Sequence, residues 1–333
     1  MATIEDIARI AHVSPATVSR VLNRKNSVIP ISEKTIKKIT AIAEELNYTP
    51  NAFAKALRTQ KSNIIGVVIW DLTDPFFSEI LRGIDEILGN EGYNLLLSSA
   101  KASIEHERTC YEKLMEVRAE GILVVGGPRE FQHEEIIRKM NKPVVFVGSR
   151  VDYPEASSVS VDNMYGGEMG VDYLLKKQCG SYFFMSCNKP TTDLEDRWQG
   201  IVRTLQQTGM YAQANLIGVD FGEEQSYKAA KKFLNGAVLP AAVFAMNDFS
   251  ALGIIRAAND LELNVPSDVA VLGFDDLSFS RYIEPRLSTI HQPRYTLGEH
   301  GAQLLVDLVS GKDLTEEQRH IVLAPKLVVR SSA

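Results

Sequence analysis

Residues 3–23 read Thr3-Ile-Glu-Asp-Ile-Ala-Arg-Ile-Ala-His-Val-Ser-Pro-Ala-Thr-Val-Ser-Arg-Val-Leu-Asn23. The stretch predicts two short helices split by a tight turn at His12-Val13. Thr3 and Asp6 have the spacing of a capping box, in which a hydroxyl and a carboxylate three residues apart satisfy helix-start amides reciprocally. Ile4, Ile7, Ala8 and Ala11 then share one helical face. Ser14 suits an N-cap, and Pro15 suits the first helical position, where no amide hydrogen is needed. Val18, Val21 and Leu22 form the apolar stripe of the second helix. Ala16, Thr17, Ser19, Arg20 and Asn23 are left to face outward. Small and polar residues with one Arg on that outer face fit a helix-turn-helix that enters a DNA major groove. A plain two-helix corner with a solvated face would show much the same pattern, so the rest of the chain has to decide.

Working outward, Arg24–Pro30 is a polar, partly basic loop. Ser32 then caps a third helix with Ile36, Ile39, Ile42, Ala43 and Leu46 on its apolar face. Three such helices make the minimal core of a DNA-binding headpiece. Thr49-Pro50 starts an Ala-rich segment of barely two turns, too short to be a stable helix without packing, and Gln60–Asn63 reads as a linker. This segment is a hinge, helical only when something holds it. Residues 1–61 carry a net charge of +5 and the remainder −11. A basic head on an acidic body suggests that only the head meets a polyanion.

From Ile64 the style changes to apolar runs alternating with amphipathic helical stretches. The runs are Ile64–Trp70, Tyr93–Ser98, Gly121–Gly126 and Val144–Gly148, then Ser181–Cys187, Leu216–Phe221, Ala241–Met246 and Val269–Phe274. Apolar strands between helices argue for parallel sheets covered on both faces. Val151–Ser160 reads as an interruption separating two α/β lobes. The tail, with strand-like Ser288–Gln292, helix Leu297–Val309 and strands Ile321–Ala324 and Lys326–Val329, crosses back between them. The fold class is therefore α/β, an all-α headpiece followed by two parallel-sheet lobes.

In open parallel sheets, ligands bind beyond the carboxyl ends of the strands. Those positions hold Asp71–Phe77, Gly126-Gly127, Ser149-Arg150, Asp220-Phe221, Asn247-Asp248 and Asp275-Asp276. Carboxylates, amides, an Arg and aromatic rings together suit a polyhydroxylated ligand. For any single Asp or Asn, capping of the next helix explains the residue equally well.

With 333 residues, 45% of them hydrophobic and 23% charged, the chain is long enough for two or three domains. No apolar run approaches membrane-spanning length and the N-terminus is no signal peptide, so a cytoplasmic protein is expected. The three cysteines have no metal-ligand spacing and are read as reduced and structural. No metal or other cofactor is expected. An enzyme is disfavoured, because no nucleophile elbow, P-loop or metal-ligand cluster is present.

Taken in order, these segments resemble the lactose-repressor/galactose-repressor (LacI/GalR) family of bacterial transcription regulators. The resemblance runs the length of the chain. It starts in Thr3–Ala8, Val13–Asn23 and Leu46–Asn51, and continues through Ile65–Ile69, Asp74–Phe77, Glu120–Val124 and Val161–Asn163. It ends in Ala245–Asp248, Val271–Asp276 and Pro285–Ile290. It implies a helix-turn-helix headpiece over 1–49, a hinge over 50–61 and an effector-binding, dimerising body over 62–333. The body resembles periplasmic sugar-binding proteins, with lobes of about 62–161 plus 291–322 and about 162–290 plus 323–333. It implies a homodimer on a pseudo-palindromic double-stranded DNA operator.

By the same resemblance, Pro15, Ala16 and Arg20 would reach base edges, and Ser14, Thr17, Ser19 and Asn23 would mostly grip phosphate. Leu57 would wedge into the minor groove with Lys55 beside it. Tyr48 and Asn51 complete the expected DNA-binding set. Arg197, Asn247 and Asp275 match the polar anchors of an effector. Phe221 matches a stacking ring, and Asp74, Phe76 and Phe77 line the other lobe. Asp193, Ser149 and Arg150 are further candidates. The expected effector is a sugar or sugar phosphate; a purine, or a partner phosphoprotein as in catabolite-control regulators, is the alternative. Three departures are a long loop at Arg24–Ile31, a degraded pattern at Gln178–Ser181 with no functional effect expected, and Pro293-Arg294, where some members have ligand-touching residues. The chain ends at Ala333 with no heptad tail, so a dimer without a tetramerising bundle is expected.

Overall fold

The computed structural model describes residues 2–22, 31–48, 61–127, 138–151, 156–188, 191–220 and 222–333. The chain divides into two units, Met1–Ser62 and Asn63–Ala333.

The first unit holds α1 (Ile4–Ala11), α2 (Pro15–Leu22) and α3 (Glu33–Glu45). The capping box forms: the Asp6 amide donates to Thr3 Oγ1 at 3.2 Å, and the Thr3 amide donates to Asp6 Oδ2 at 3.1 Å. The hydrogen bonds from Thr3, with the Arg9 guanidinium beside them, hold the Asp6 carboxyl below its ordinary pKa. His12 closes α1 in the left-handed region at φ 55°, and the Val13 amide reaches back to the Ala8 carbonyl at 3.0 Å. The Thr17 amide donates to Ser14 Oγ at 3.2 Å, so Ser14 caps α2. Ile7, Ala8, Ala11, Val18, Ile39, Ile42 and Ala43 form the small core. Ile36, expected on the buried face of α3, is 41% exposed instead. It lies one turn from the helix start, where a core this small no longer reaches.

The second unit contains two six-stranded sheets. The first takes β1 (Ile64–Ile69), β2 (Asn94–Ser99), β3 (Gly121–Val125), β4 (Val144–Gly148), β5 (Ser157–Val161) and β11 (His320–Leu323), in the order β11-β5-β4-β3-β1-β2, all parallel. The second takes β6 (Ser181–Cys187), β7 (Ala214–Val219), β8 (Ala241–Phe244), β9 (Val269–Asp275), β10 (Ser288–His291) and β12 (Lys326–Val328), in the order β12-β10-β9-β8-β6-β7. Only the β12 pairing is antiparallel. The chain passes between sheets after Val161, after His291 and after Leu323. Ser157–Val161 corrects the sequence reading: it is a fully buried strand, not an interruption. Its serines carried no apolar signal.

Helices α4 (Phe76–Asn90), α5 (Ile104–Glu116) and α10 (Arg294–Val309) cover the first sheet. Alternation puts Ile65, Val67 and Ile69 in one core layer and Val68 in the other. Around the second sheet lie α6 (Asn163–Leu175), α7 (Thr192–Gln207), α8 (Glu223–Leu234) and α9 (Asp248–Asp260), with a short α11 (Glu316–Arg319) before β11. α6 and α7 pack backbone to backbone. A Cβ at Gly167 would run into the Arg197 carbonyl, and one at Gly200 into the Met164 carbonyl. That close approach sets the height of Arg197 over the sheet. Among the described residues, no helix is long and apolar enough to cross a membrane.

Candidate nucleic-acid interface and ligand cavity

On the headpiece, capping leaves Ser14, Pro15 and Ala16 exposed at the start of α2, while Thr17, Ser19 and Arg20 are half-buried. Ser14 Oγ and Thr17 Oγ1 lie 2.9 Å apart. The second helix therefore presents its N-terminal turn, the end that carries the positive pole of the helix dipole. Lys38 on α3 donates to the Ala11 carbonyl at 2.9 Å and holds the turn from behind. Tyr48 packs half-buried against the headpiece core. Asn23, Asn51, Lys55 and Leu57 lie outside the described residues.

In the second unit, one cavity of about 980 Å³ opens at the carboxyl ends of the strands of both sheets. That volume is at the upper end of the range for small-molecule sites. It gathers Asp74, Phe76, Phe77 and Ser149 from the first sheet's side with Asp193, Arg197, Asn247 and Asp275 from the second. Arg150 does not line it; its Nε lies 3.5 Å from Asp196 Oδ2 on α7. Phe221 lies outside the described residues. Trp70 and Gln292 also line the cavity and were missed. Each stands directly after a strand, at Ile69 and His291, so the strand-end rule could have found both.

Arg197 is 3% exposed. Its guanidinium donates to the Met246 carbonyl and to Asn163 Oδ1 at 3.0 Å, stands 4.0 Å from Asp275 Oδ1 and lies 3.3 Å over the Phe274 ring. Among the described residues, its buried Nε has no hydrogen-bond partner. Burial presses the Arg197 pKa down, opposed chiefly by Asp275. Burial likewise pushes Asp275 well above the usual carboxylate range, opposed by Arg197. Gln292 Nε2 donates to Asp275 Oδ1 at 2.7 Å, fixing that carboxylate from the β10 side. Asn247 caps α9 by accepting from the Ser250 amide at 2.8 Å. Asp74 does the same for the Phe76 amide at 2.9 Å, and burial raises its pKa. Capping and lining are thus compatible roles for these two residues.

Other strand-end residues serve structure. Asp220 accepts from Asn188 Nδ2 at 3.1 Å. Asp276 takes Arg330 at 2.5 Å, Arg281 at 3.4 Å and His291 at 3.1 Å. Although burial works against it, those partners hold its pKa well below the ordinary value. Arg294 stands just behind the cavity wall. It donates to the carbonyls of Asp275 and Asp276 and to Glu79 Oε2 at 3.3 Å, joining the end of β9 to α4.

Asp248 is fully buried under the cavity floor. It accepts from the Leu277 amide at 2.7 Å, Ser280 Oγ at 2.6 Å and Thr289 Oγ1 at 2.5 Å. Burial outweighs these bonds and pushes its pKa from 3.8 up to about 6. The folded state then binds the proton more tightly than the unfolded chain. Its stabilising share is complete below about pH 3.8 and is lost as pH rises through about 6. Urea midpoints for wild type and Asp248→Asn at pH 4, 5.5 and 7 should therefore move apart. The wild type loses about 2 kcal/mol relative to the variant across that window.

Comparisons with known proteins agree with both halves. Residues 3–51 match the bacterial regulatory proteins, lacI family, and residues 171–333 match the periplasmic binding protein-like domain. The chain is 30% identical over 334 residues to the HTH-type transcriptional repressor PurR of Photobacterium profundum, covering 100% of this chain and 98% of that protein. Among solved structures, the lac repressor dimer bound to operator and the anti-inducer ONPF superposes with a TM-score of 0.89 at 26% identity, covering 99% of this chain and 98% of that one. The complex of the transcriptional regulator CelR with cellobiose superposes with a TM-score of 0.74 at 27% identity, covering 100% of both chains. Among the described residues, no group of His, Cys, Asp and Glu could hold a metal ion.

Proposed function

This chain belongs to the lacI family of bacterial regulatory proteins and is a DNA-binding transcriptional regulator, not an enzyme; we propose that it is a cytoplasmic homodimeric repressor of carbohydrate-utilisation genes. In this reading a sugar or sugar phosphate in the body's cavity changes operator affinity. The observation that carries it is the convergence of Arg197, Asn247, Asp275 and Gln292 with Trp70, Phe76 and Phe77 around one cavity. Fixed bidentate groups suit hydroxyls, and rings suit the apolar face of a pyranose or furanose. The cellobiose held by CelR and the operator held by the lac repressor dimer supply the same two ligand classes in structurally similar chains.

Two headpieces of a dimer would place their α2 helices about one helical turn of DNA apart. Pro15 and Ala16 offer few base-specific hydrogen bonds, so specificity falls on Arg20, on half-site spacing and on a kink made by Leu57. Leu57→Ala should weaken operator binding about tenfold or more while leaving base preference within the half-sites read by Arg20 unchanged, since an intercalating wedge senses the deformability of the central step and not base edges. Competition binding against a library of operator variants measures both quantities. Wild-type affinity in Leu57→Ala would remove the hinge from the account. The reading as a whole is tested by electrophoretic shift on the DNA upstream of the protein's own gene, with and without a panel of sugars, sugar phosphates and purines. No shift under any condition would end it, and a response to purines alone would replace the carbohydrate.

A further inference from the structure

We propose that the cavity takes a carbohydrate without anionic groups and that its lining acids reject phosphorylated and other anionic sugars. The proposal rests on the carbohydrate reading of that cavity and narrows it. Six carboxylates line the cavity: Asp71, Asp74, Glu105, Asp193, Glu195 and Asp275. Among the described residues, Arg197 is the one cationic side chain in the lining. Its charge is already engaged by the Met246 carbonyl, Asn163, Asp275 and the Phe274 ring. Arg129 and Lys189 lie outside the described residues but are close in sequence to lining positions. With both counted, carboxylates still outnumber cations two to one.

The usual welcome for a phosphate is also cancelled. Helix N-termini attract anions through their unpaired amides and dipole. Here the first turn of α7 carries Asp193 and Glu195, and that of α5 carries Glu105 and Glu107. Asp74 and Asn247 already occupy amides at the starts of α4 and α9. Burial favours the neutral forms of Asp74 and Asp275. Even with both protonated, Asp71, Glu105, Asp193 and Glu195 outnumber Arg197 four to one in the described lining, and four to three with Arg129 and Lys189 counted. A neutral polyol meets none of this repulsion. Its hydroxyls donate to the same carboxylates, and its apolar face meets Trp70 and Phe76.

The test is thermal shift followed by calorimetry on the full chain. The panel is neutral pentoses, hexoses and disaccharides, their phosphate esters, and hexosamines as cationic counterparts. At least one neutral sugar should stabilise the protein and bind at least about tenfold more tightly than its phosphate ester. In an Asp193→Asn, Glu195→Gln double variant, whose amides are near-isosteric, both ligands lose the same hydroxyl-to-carboxylate contacts, so the readout is the ratio: the preference for the neutral sugar over its ester should shrink at least about tenfold. An ester that outbinds its neutral parent overturns the proposal and leaves the carbohydrate reading standing, whereas the same acids should let a hexosamine bind at least as tightly as its neutral parent. Discrimination unchanged in the double variant overturns the role of the acids. No response from any member of the panel removes the carbohydrate reading and this proposal together.

Discussion

Replacing Arg197 with Ala should lower the unfolding free energy of the 63–333 unit by about 3–5 kcal/mol, the cost of breaking a buried ion pair from one side. The substitution strands four groups at once. Asp275 loses its nearest counter-charge, the Met246 carbonyl and Asn163 Oδ1 lose donors, and the Phe274 ring loses the plate that covers it. The α7 backbone stays in place because Gly167 and Gly200 seat it against α6, so the damage is local to the cavity. Urea unfolding of the full chain reads the stability loss. Arg197→Lys keeps the charge but not the planar fork, so it should recover part of the stability and little of the ligand binding. An Arg197→Ala protein as stable as wild type would mean that this buried cation is not holding the cavity together.

Arg20→Ala should have the largest effect on the DNA side. A bidentate contact from Arg to guanine carries about 1–3 kcal/mol of discrimination. A two-fold complex makes the contact twice, so operator affinity should fall by about 30-fold or more. Preference at one symmetry-related base pair in each half-site should relax at the same time. Ser14→Ala should instead weaken binding evenly across sequences, because its hydroxyl caps α2 and would face phosphate. Binding to single-base operator variants separates the two patterns. Retained base preference in Arg20→Ala would place readout elsewhere on the headpiece.

Much of this was legible in the sequence because the signals were local. The capping box at Thr3 and Asp6, Ser14 before Pro15, and apolar runs such as Val144–Gly148 each sit within a few residues of the element they define. Strand β5 was not legible, since Ser157, Ser158 and Ser160 hide a fully buried strand behind polar composition. The cavity was half legible. The cavity opens at strand ends, and Asp74, Phe76, Phe77, Asn247 and Asp275, all read from those positions, line it. Strand-end positions could not separate Asp275, which lines the cavity, from its neighbour Asp276, which closes an ion cluster with Arg330. Nor could they mark Asp248 as a buried support for Leu277, Ser280 and Thr289. Those partners come from distant parts of the chain, and only the fold brings them together. Nor could strand-end positions show that Arg150 stands outside the lining and beside Asp196, which belongs to the other lobe's helix.

The central claim is that a small molecule in the cavity and DNA on the headpiece change each other's binding. Fluorescence anisotropy on a labelled operator measures it directly, titrating the full chain with and without a saturating amount of the sugar that gives the largest thermal shift. Allosteric coupling of the usual size predicts a change in operator Kd of about 5–150-fold, in either direction. The sugar should show the same fold-change in its own affinity when operator is bound. Tight sugar binding with an operator Kd unmoved by the sugar would contradict the account.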